Sequence, residues 1–144
     1  MKEQKKAAAP VKKASFATGK RKKAVANASV SPGTGLVTIN SQPLDQIGNE
    51  TARLLIMEPL MLLGEDWKKY NIRAKTKGGG VIGQAQAARQ AVARALAEAM
   101  GESVRKLFMS YDRNMLVYDP RRTEPHKPPR SSQGPRRYKQ RSKR

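Results

Sequence analysis

Alternation of apolar and polar residues predicts β-strands early in the chain. Residues 24–31 place Ala26, Ala28 and Val30 on one face and polar residues on the other, which is the period of a strand with one buried face. The Pro-Gly-Thr-Gly sequence at 32–35 predicts a turn, and residues 36–40 alternate again. We therefore expect a β-hairpin over residues 24–40.

A third alternating segment leads into a glycine-rich turn and a long helix. Residues 71–77 would place Ile72, Ala74 and Thr76 on one face, with Arg73, Lys75 and Lys77 on the other. Three glycines follow, and then about seventeen residues rich in strong helix formers, ending near Met100. A strand, a glycine turn and a helix start can direct backbone N–H groups at an anion. Glycines also let phosphate oxygens approach the backbone and adopt positive φ without steric cost.

The helix after the glycine turn is amphipathic, with an unusually small apolar side. Its apolar stripe is Ala85, Ala88, Val92, Ala95, Leu96 and Ala99, so the helix can lie close against a sheet. The opposite side carries Gln86, Arg89, Gln90 and Arg94. No Glu stands four residues from either arginine to pair with it. Arg89 and Arg94 therefore lie either on a solvated face or against a binding partner.

Three shorter elements complete the expected structure. Residues 50–63 predict a helix that Pro59 should kink or divide and that Gly64 ends, after which Trp67 is expected to anchor the core. Gly101 should end the long helix, and residues 103–109 predict a further short helix. Residues 115–118 could form a final edge strand.

The distribution of charge along the chain indicates a polyanionic partner. The 144 residues suffice for one domain and contain 30 Lys and Arg against 11 Asp and Glu. Residues 1–23 hold nine basic and one acidic residue, residues 24–110 hold ten and seven, and residues 111–144 hold eleven and three. A nearly balanced globule between two strongly basic ends is typical of a nucleic-acid-binding protein with arms.

The composition divides the chain into three parts. Residues 1–14 contain few large apolar groups and predict a disordered basic leader. Residues 15–118 should form the globular domain. Residues 119–144 contain five prolines and no large aliphatic residue, so we expect a basic tail that is extended and disordered when the protein is alone.

Few residues are suited to catalysis or to metal binding. The chain has no Cys, no apolar run long enough to span a membrane and no secretory signal, so the cytoplasm is expected. Its one histidine, His126, lies in the proline-rich tail without a rigid scaffold. A Walker A motif is absent, because no Gly-Lys-Ser/Thr sequence follows the glycines. We expect no enzyme activity, cofactor, metal site or small-molecule substrate.

Two alternatives to a ribonucleoprotein role stay open at this point. Gly78, Gly80 and Gly83 match G-x-G-x-x-G, which would suit a dinucleotide-binding enzyme. Such a site also needs an acidic residue about twenty positions further on, at the end of the next strand, and here Glu98 and Glu102 lie near a helix end instead. The other alternative is a free protein that compacts nucleic acid, since charge alone does not distinguish DNA from RNA.

Six blocks of residues, in chain order, resemble one protein family. They are Gly19–Lys22, Ile56–Leu60, Gly78–Ala85, Tyr111–Val117, Asp119–Pro125 and the terminal Ser142–Arg144. Together they resemble the universal ribosomal protein "S nine" family of the small subunit, over about residues 16–144. The second and fifth blocks resemble its archaeal and eukaryotic branch, with archaea favoured. The leader, residues 1–14, matches nothing known for the family.

The resemblance implies both a fold and a function. The fold would be α/β (α+β): a two-layer domain with a mixed β-sheet and helices on one face, similar to the second domain of ribosomal protein "S five". The protein would be a structural constituent of the small-subunit head, bound to rRNA and to neighbouring ribosomal proteins. Its tail would reach the peptidyl-site tRNA, where Lys143 and Arg144 contact the anticodon stem-loop and Ser142 orients them. His126 would occupy a position that is usually basic.

We therefore expect two sets of RNA-contacting residues. The cations of these sets outnumber the available acids and can neutralise phosphates, with counterion release, while arginine can also stack on bases. The rRNA set is Lys20, Arg21, Lys22, Lys23, Lys77, Gly78, Gly79, Gly80, Gln84, Arg89, Arg113, Arg121, Arg122, Lys127, Arg130, Arg136, Arg137, Lys139 and Arg141. The tRNA set is Ser142, Lys143 and Arg144.

Overall fold

A five-stranded mixed sheet covered by helices forms the body of the protein. The computed structural model describes residues 14–125. In chain order the elements are β1 (Ser15–Arg21), β2 (Ala24–Pro32), β3 (Val37–Ile39), β4 (Gln42–Pro43), α1 (Glu50–Leu62), β5 (Tyr70–Lys77), α2 (Val81–Met100) and α3 (Glu102–Tyr111). Short 3₁₀ turns span Leu44–Gln46, Asp66–Lys69 and Arg113–Met115. None of the helices in residues 14–125 is both long and apolar enough to cross a membrane.

The sheet and the helices form two layers, as expected. The strand order is β1-β2-β5-β3-β4; β5 pairs with β3 in parallel, and the other neighbours are antiparallel. Helix α2 packs on β1, β2 and β5, and it is flanked by α1 and α3. Alternate residues of β2 and β5 are buried under α2, while the intervening ones are exposed. The two-layer α/β fold with a mixed sheet is confirmed.

Small residues on both layers allow helix α2 to approach the sheet closely. Its alanines at 85, 87, 88, 91, 93 and 95 are buried, so the apolar side is wider than the single stripe expected from periodicity. On the facing strand, a Cβ added to Gly19 would lie 2.1 Å from the carbonyl oxygen of Ala87. Only glycine fits at that position of β1, because the atom it would meet belongs to the helix backbone.

The expected hairpin over residues 24–40 is wrong. β5 lies between β2 and β3, and the true hairpin joins β1 to β2 through a turn at Lys22, whose φ is 52°. The loop after β2 instead crosses the start of β5. There the Asn71 side-chain oxygen accepts hydrogen bonds from the backbone N–H groups of Thr34 (2.9 Å) and Leu36 (3.1 Å). Alternation identified the strands, but it does not specify which strand pairs with which.

The helical elements agree better with expectation than the last predicted strand does. Helix α1 runs as one element through the buried Pro59, so the proline does not divide it, and Trp67 packs partly buried against the core. Helix α2 ends at Gly101, where φ is 99°. The expected edge strand at 115–118 is wrong: Met115 ends a 3₁₀ turn that Asp112 caps by accepting from the Asn114 N–H at 2.8 Å.

Candidate nucleic-acid interface

The β1–β2 turn and the glycine turn before α2 pack directly against each other. A Cβ added to Gly78 would lie 2.7 Å from the carbonyl oxygen of Lys23, and one added to Gly79 would lie 3.1 Å from the Ala24 nitrogen. Both glycines also have positive φ, 75° and 69°, which disfavours any other residue there. Two segments that are about fifty positions apart in sequence therefore form one surface, called the basic corner below.

The lysines of the basic corner are exposed and unpaired. They are Lys20, Lys22, Lys23 and Lys77. Within residues 14–125, none of these four side chains pairs with a carboxylate. Their charges repel one another across a small area, so a polyanion on this surface would relieve the repulsion as well as supply contacts.

Gln84 has a structural task at this corner. Its side-chain nitrogen donates to the carbonyl oxygen of Gly78 at 3.1 Å, and its side-chain oxygen accepts from the Thr76 hydroxyl at 3.1 Å. These bonds hold the glycine turn in place. Helix α2 begins at Gly80 without a side-chain cap, so its first N–H groups stay available to an anion.

A set of polar contacts fixes the base of the C-terminal tail beside the basic corner. Arg21 forms an ion pair with Asp119 and donates from Nε to the Gln86 side-chain oxygen at 2.9 Å. Gln90, only 5% exposed, accepts from the Lys20 backbone N–H at 2.9 Å and donates to the Val117 carbonyl at 2.8 Å. We call Arg21, Gln86, Gln90 and Asp119 the tail clamp. Gln86 and Gln90 were expected on the helix face opposite the core. In the structure that face is covered by β1 and the base of the tail, which Gln86 and Gln90 contact.

The Arg89 side chain is already paired with two carboxylates inside the protein. It is 15% exposed and pairs with Glu58 at 2.6 Å and with Asp112 at 2.8 Å. Burial pulls the pKa of the Asp112 carboxyl upward, but hydrogen bonds from the Asn114 N–H and from the Arg89 guanidinium outweigh it, and the pKa is held below its ordinary value. Glu58 and Asp112 lie outside helix α2, so the spacing of charges within that helix does not reveal them.

The other arginines of the predicted rRNA set lie in different settings. Arg113 is exposed, whereas Arg121 pairs with Asp119 at 2.8 Å and the Arg122 guanidinium lies 5.2 Å from the centre of the Tyr118 ring. The remaining predicted residues lie outside the described residues: His126, Lys127, Arg130, Arg136, Arg137, Lys139, Arg141, Ser142, Lys143 and Arg144.

A second basic surface, which sequence reasoning did not assign, lies on the sheet face away from the helices. It carries Arg73, Lys75 and Lys77 of β5 at every second position, and all three are exposed. The signal was present in the sequence, because these cations alternate with the buried residues of the strand. Only the strand order shows that β1 and β2 extend the same open face, where Phe16 is 72% exposed.

Comparison with known proteins identifies the family. A family described as Ribosomal protein S9/S16 matches residues 19–144. The small ribosomal subunit protein uS9 of Methanococcus vannielii is 42% identical over 125 residues, which cover 86% of this chain and 93% of that protein. The protein of the same name from Methanococcus maripaludis strain C7 shows the same identity and coverage.

Proposed function

Because the chain belongs to the ribosomal protein S9/S16 family, we propose that it binds the rRNA of the small-subunit head through its basic corner. As a member of that family it is a structural protein of the small ribosomal subunit, located in the cytoplasm, and not an enzyme. We further propose that its tail extends to the peptidyl-site tRNA, with Lys143 and Arg144 at the anticodon stem-loop and Ser142 orienting them.

The observation that carries the rRNA proposal is the joining of two turns into one unpaired basic surface. Lys20, Lys22, Lys23 and Lys77 converge there, next to backbone N–H groups at the uncapped start of α2. Elsewhere on the globule many cations are neutralised, as Lys68 and Lys69 are by Glu65 and Asp66. Free lysines combined with exposed backbone donors match the chemistry of a phosphate-binding surface.

The tail proposal is supported by the position of the tail clamp. The clamp holds Val117 and Asp119 against β1, so the tail departs beside the basic corner. Residues 126–144 carry eight further Lys and Arg and no acid, so the tail would follow RNA away from the globule. Arg89 is removed from the proposed contacts, because two carboxylates already hold its charge.

A matched pair of double variants tests the rRNA proposal. Lys22→Asn with Lys23→Gln removes two charges at the basic corner, and asparagine tolerates the positive φ at position 22. We expect the slope of log affinity against log salt, for the full chain on small-subunit rRNA, to fall by about 0.7–0.9 per lost phosphate contact. The control, Lys68→Gln with Lys69→Gln, removes two charges already paired within the globule. Equal slopes for all three proteins would refute the proposal.

The tail proposal needs a readout at the peptidyl site. We expect subunits carrying a chain without Lys143 and Arg144 to assemble normally and to bind peptidyl-site tRNA more weakly. Lys127→Gln with Arg130→Gln removes the same charge nearer the globule, and tRNA binding should change less. A deletion variant with the parent's tRNA affinity would contradict the role of the terminal pair.

A further inference from the structure

The sheet face away from the helices, called the open sheet face below, carries only positively charged side chains among its charged residues. Strands β1, β2 and β5 align as three cross-strand rows: Phe16–Ser29–Arg73, Thr18–Asn27–Lys75 and Lys20–Val25–Lys77. The residues between them on each strand point to the other side, under α2, as the burial alternation shows. None of the three helices packs on this face, so all three rows lie open in the described part of the chain.

The charge of this face is uniform. The five strands contain no Asp or Glu, whereas they contribute Lys20, Arg73, Lys75 and Lys77 to the open face. Within residues 14–125 these four side chains have no carboxylate partner. The leader that precedes β1 carries five lysines and one glutamate, so it has the wrong sign to cover the face. An occupant of complementary charge must be anionic.

The relief of the face suits a single nucleic-acid strand. Strand β2 contributes the small side chains Val25, Asn27 and Ser29. They lie between the cations of β5 and the longer Phe16 and Lys20 of β1. Because β2 lies between β1 and β5, the side chains of those two strands stand about 10 Å apart. Cations at every second position of β5 repeat every ~7 Å along the strand, a spacing comparable to that of successive phosphates on one nucleic-acid chain. The exposed amide of Asn27 can meet base edges, while the Ser29 hydroxyl donates to the Arg73 carbonyl oxygen at 3.4 Å.

Phe16 adds a feature that phosphate binding alone does not need. The Phe16 side chain is 72% exposed, so it buries little surface in the isolated fold, and it lies across β2 from Arg73. Unpaired bases stack on such rings, and neighbouring cations take the phosphates. In a duplex the base faces stack on one another, so no base face is available to stack on Phe16.

We propose that this open sheet face binds an unpaired segment of RNA, with Phe16 stacked on one base and Arg73, Lys75 and Lys77 contacting its phosphates. The inference rests on the proposed function, because it takes the RNA of the ribosomal subunit as its ligand. It adds a second contact surface, separate from the basic corner except at Lys20 and Lys77, which lie where the two meet.

The test measures binding of the full chain to small-subunit rRNA as a function of salt. Phe16→Ala should weaken binding about tenfold without changing the salt slope, because stacking releases no counterions. Phe16→Tyr should retain the parent's affinity, since its ring still stacks. Arg73→Gln with Lys75→Gln should lower the slope by about 1.4. As controls, Leu54→Ala removes another exposed apolar side chain, 50% exposed on α1, and Lys68→Gln with Lys69→Gln removes two charges elsewhere.

The outcomes separate this inference from the proposed function. If the Lys22/Lys23 variant loses salt slope while Phe16→Ala and the Arg73/Lys75 variant bind like the parent, RNA binding by the open sheet face is wrong and the basic corner stands. If the parent itself does not bind rRNA, the proposed function fails first. A photo-reactive residue at position 16 in assembled subunits should cross-link to RNA. A cross-link to a protein there would mean that the face is a protein interface and would overturn the inference.

Discussion

The buried side chain of Gln90 provides the sharpest test of how the tail is fixed. Its amide joins two backbone groups that come from opposite ends of the described chain, the Lys20 N–H at 2.9 Å and the Val117 carbonyl at 2.8 Å. β1 is an edge strand of the sheet, so the Lys20 N–H points away from β2 and depends on Gln90 for a partner. Gln90→Leu keeps a similar volume and removes both hydrogen bonds.

The expected cost follows from those two groups. Each backbone group left without a partner in a part-buried position costs about 1–3 kcal/mol, and some water can reach these two, so we take about 1 kcal/mol for each. The apolar side chain gains little, since its site is bounded by polar backbone. We therefore expect the isolated protein to lose about 2 kcal/mol of unfolding free energy, which corresponds to a fall in Tm of roughly 10 °C for a domain of this size.

Thermal unfolding followed by circular dichroism measures this effect. Gln46→Leu provides the control, because it makes the same chemical change at an exposed position and should alter stability by less than about 0.5 kcal/mol. A Gln90→Leu protein that melts within ~2 °C of the parent would show that the amide does not hold the tail base. In that case the direction in which the tail leaves the globule would have to be fixed by Arg21 and Asp119 alone.

Two further predictions concern packing and pH. Gly19→Ala should destabilise the protein by about 2 kcal/mol, since the new Cβ meets backbone atoms of α2 at 2.1 Å and 2.6 Å, while Gly48→Ala meets nothing within 4 Å; equal Tm values for the two variants would refute this. The pKa of Asp112 is lowered in the fold, so its stabilisation is present above the ordinary carboxyl pKa and is lost as pH falls through the folded value. Asp112→Asn should thus lower stability by about 1 kcal/mol at pH 7 and flatten the decline in unfolding free energy below about pH 4. Urea unfolding from pH 7 to 2 checks this, with exposed Asp45→Asn as control; a decline as steep in Asp112→Asn as in the parent would contradict it.

Local sequence patterns predicted most of the helices and strands of this protein, but not β1 or β4. Alternation along 24–31 and 71–77 predicted β2 and β5 correctly, and glycines at 64 and 101 predicted the ends of α1 and α2. These signals are short-ranged, because a strand's period and a helix's end depend on neighbouring residues. The blocks that resemble ribosomal proteins likewise identified the family, which the comparison confirmed.

Strand pairing and the partners of polar side chains were decided only by the tertiary structure. β5 entered the sheet between β2 and β3, so the predicted hairpin did not form. Arg89 found its carboxylates 31 and 23 positions away, and Gln90 bridged backbone groups 70 and 27 positions away.

The sequence could not predict these partners, because a helix face exposed to water and a helix face covered by a distant segment have the same local sequence pattern. Gln86, Arg89, Gln90 and Arg94 satisfy the polar side of an amphipathic helix whether water or protein covers them. What decides the outcome is whether a distant segment brings unpaired hydrogen-bonding groups to that side, because buried polar groups require partners. The sequence by itself therefore determined most of the elements, the charge and the family, while the packing of distant segments decided which cations remain without a carboxylate partner.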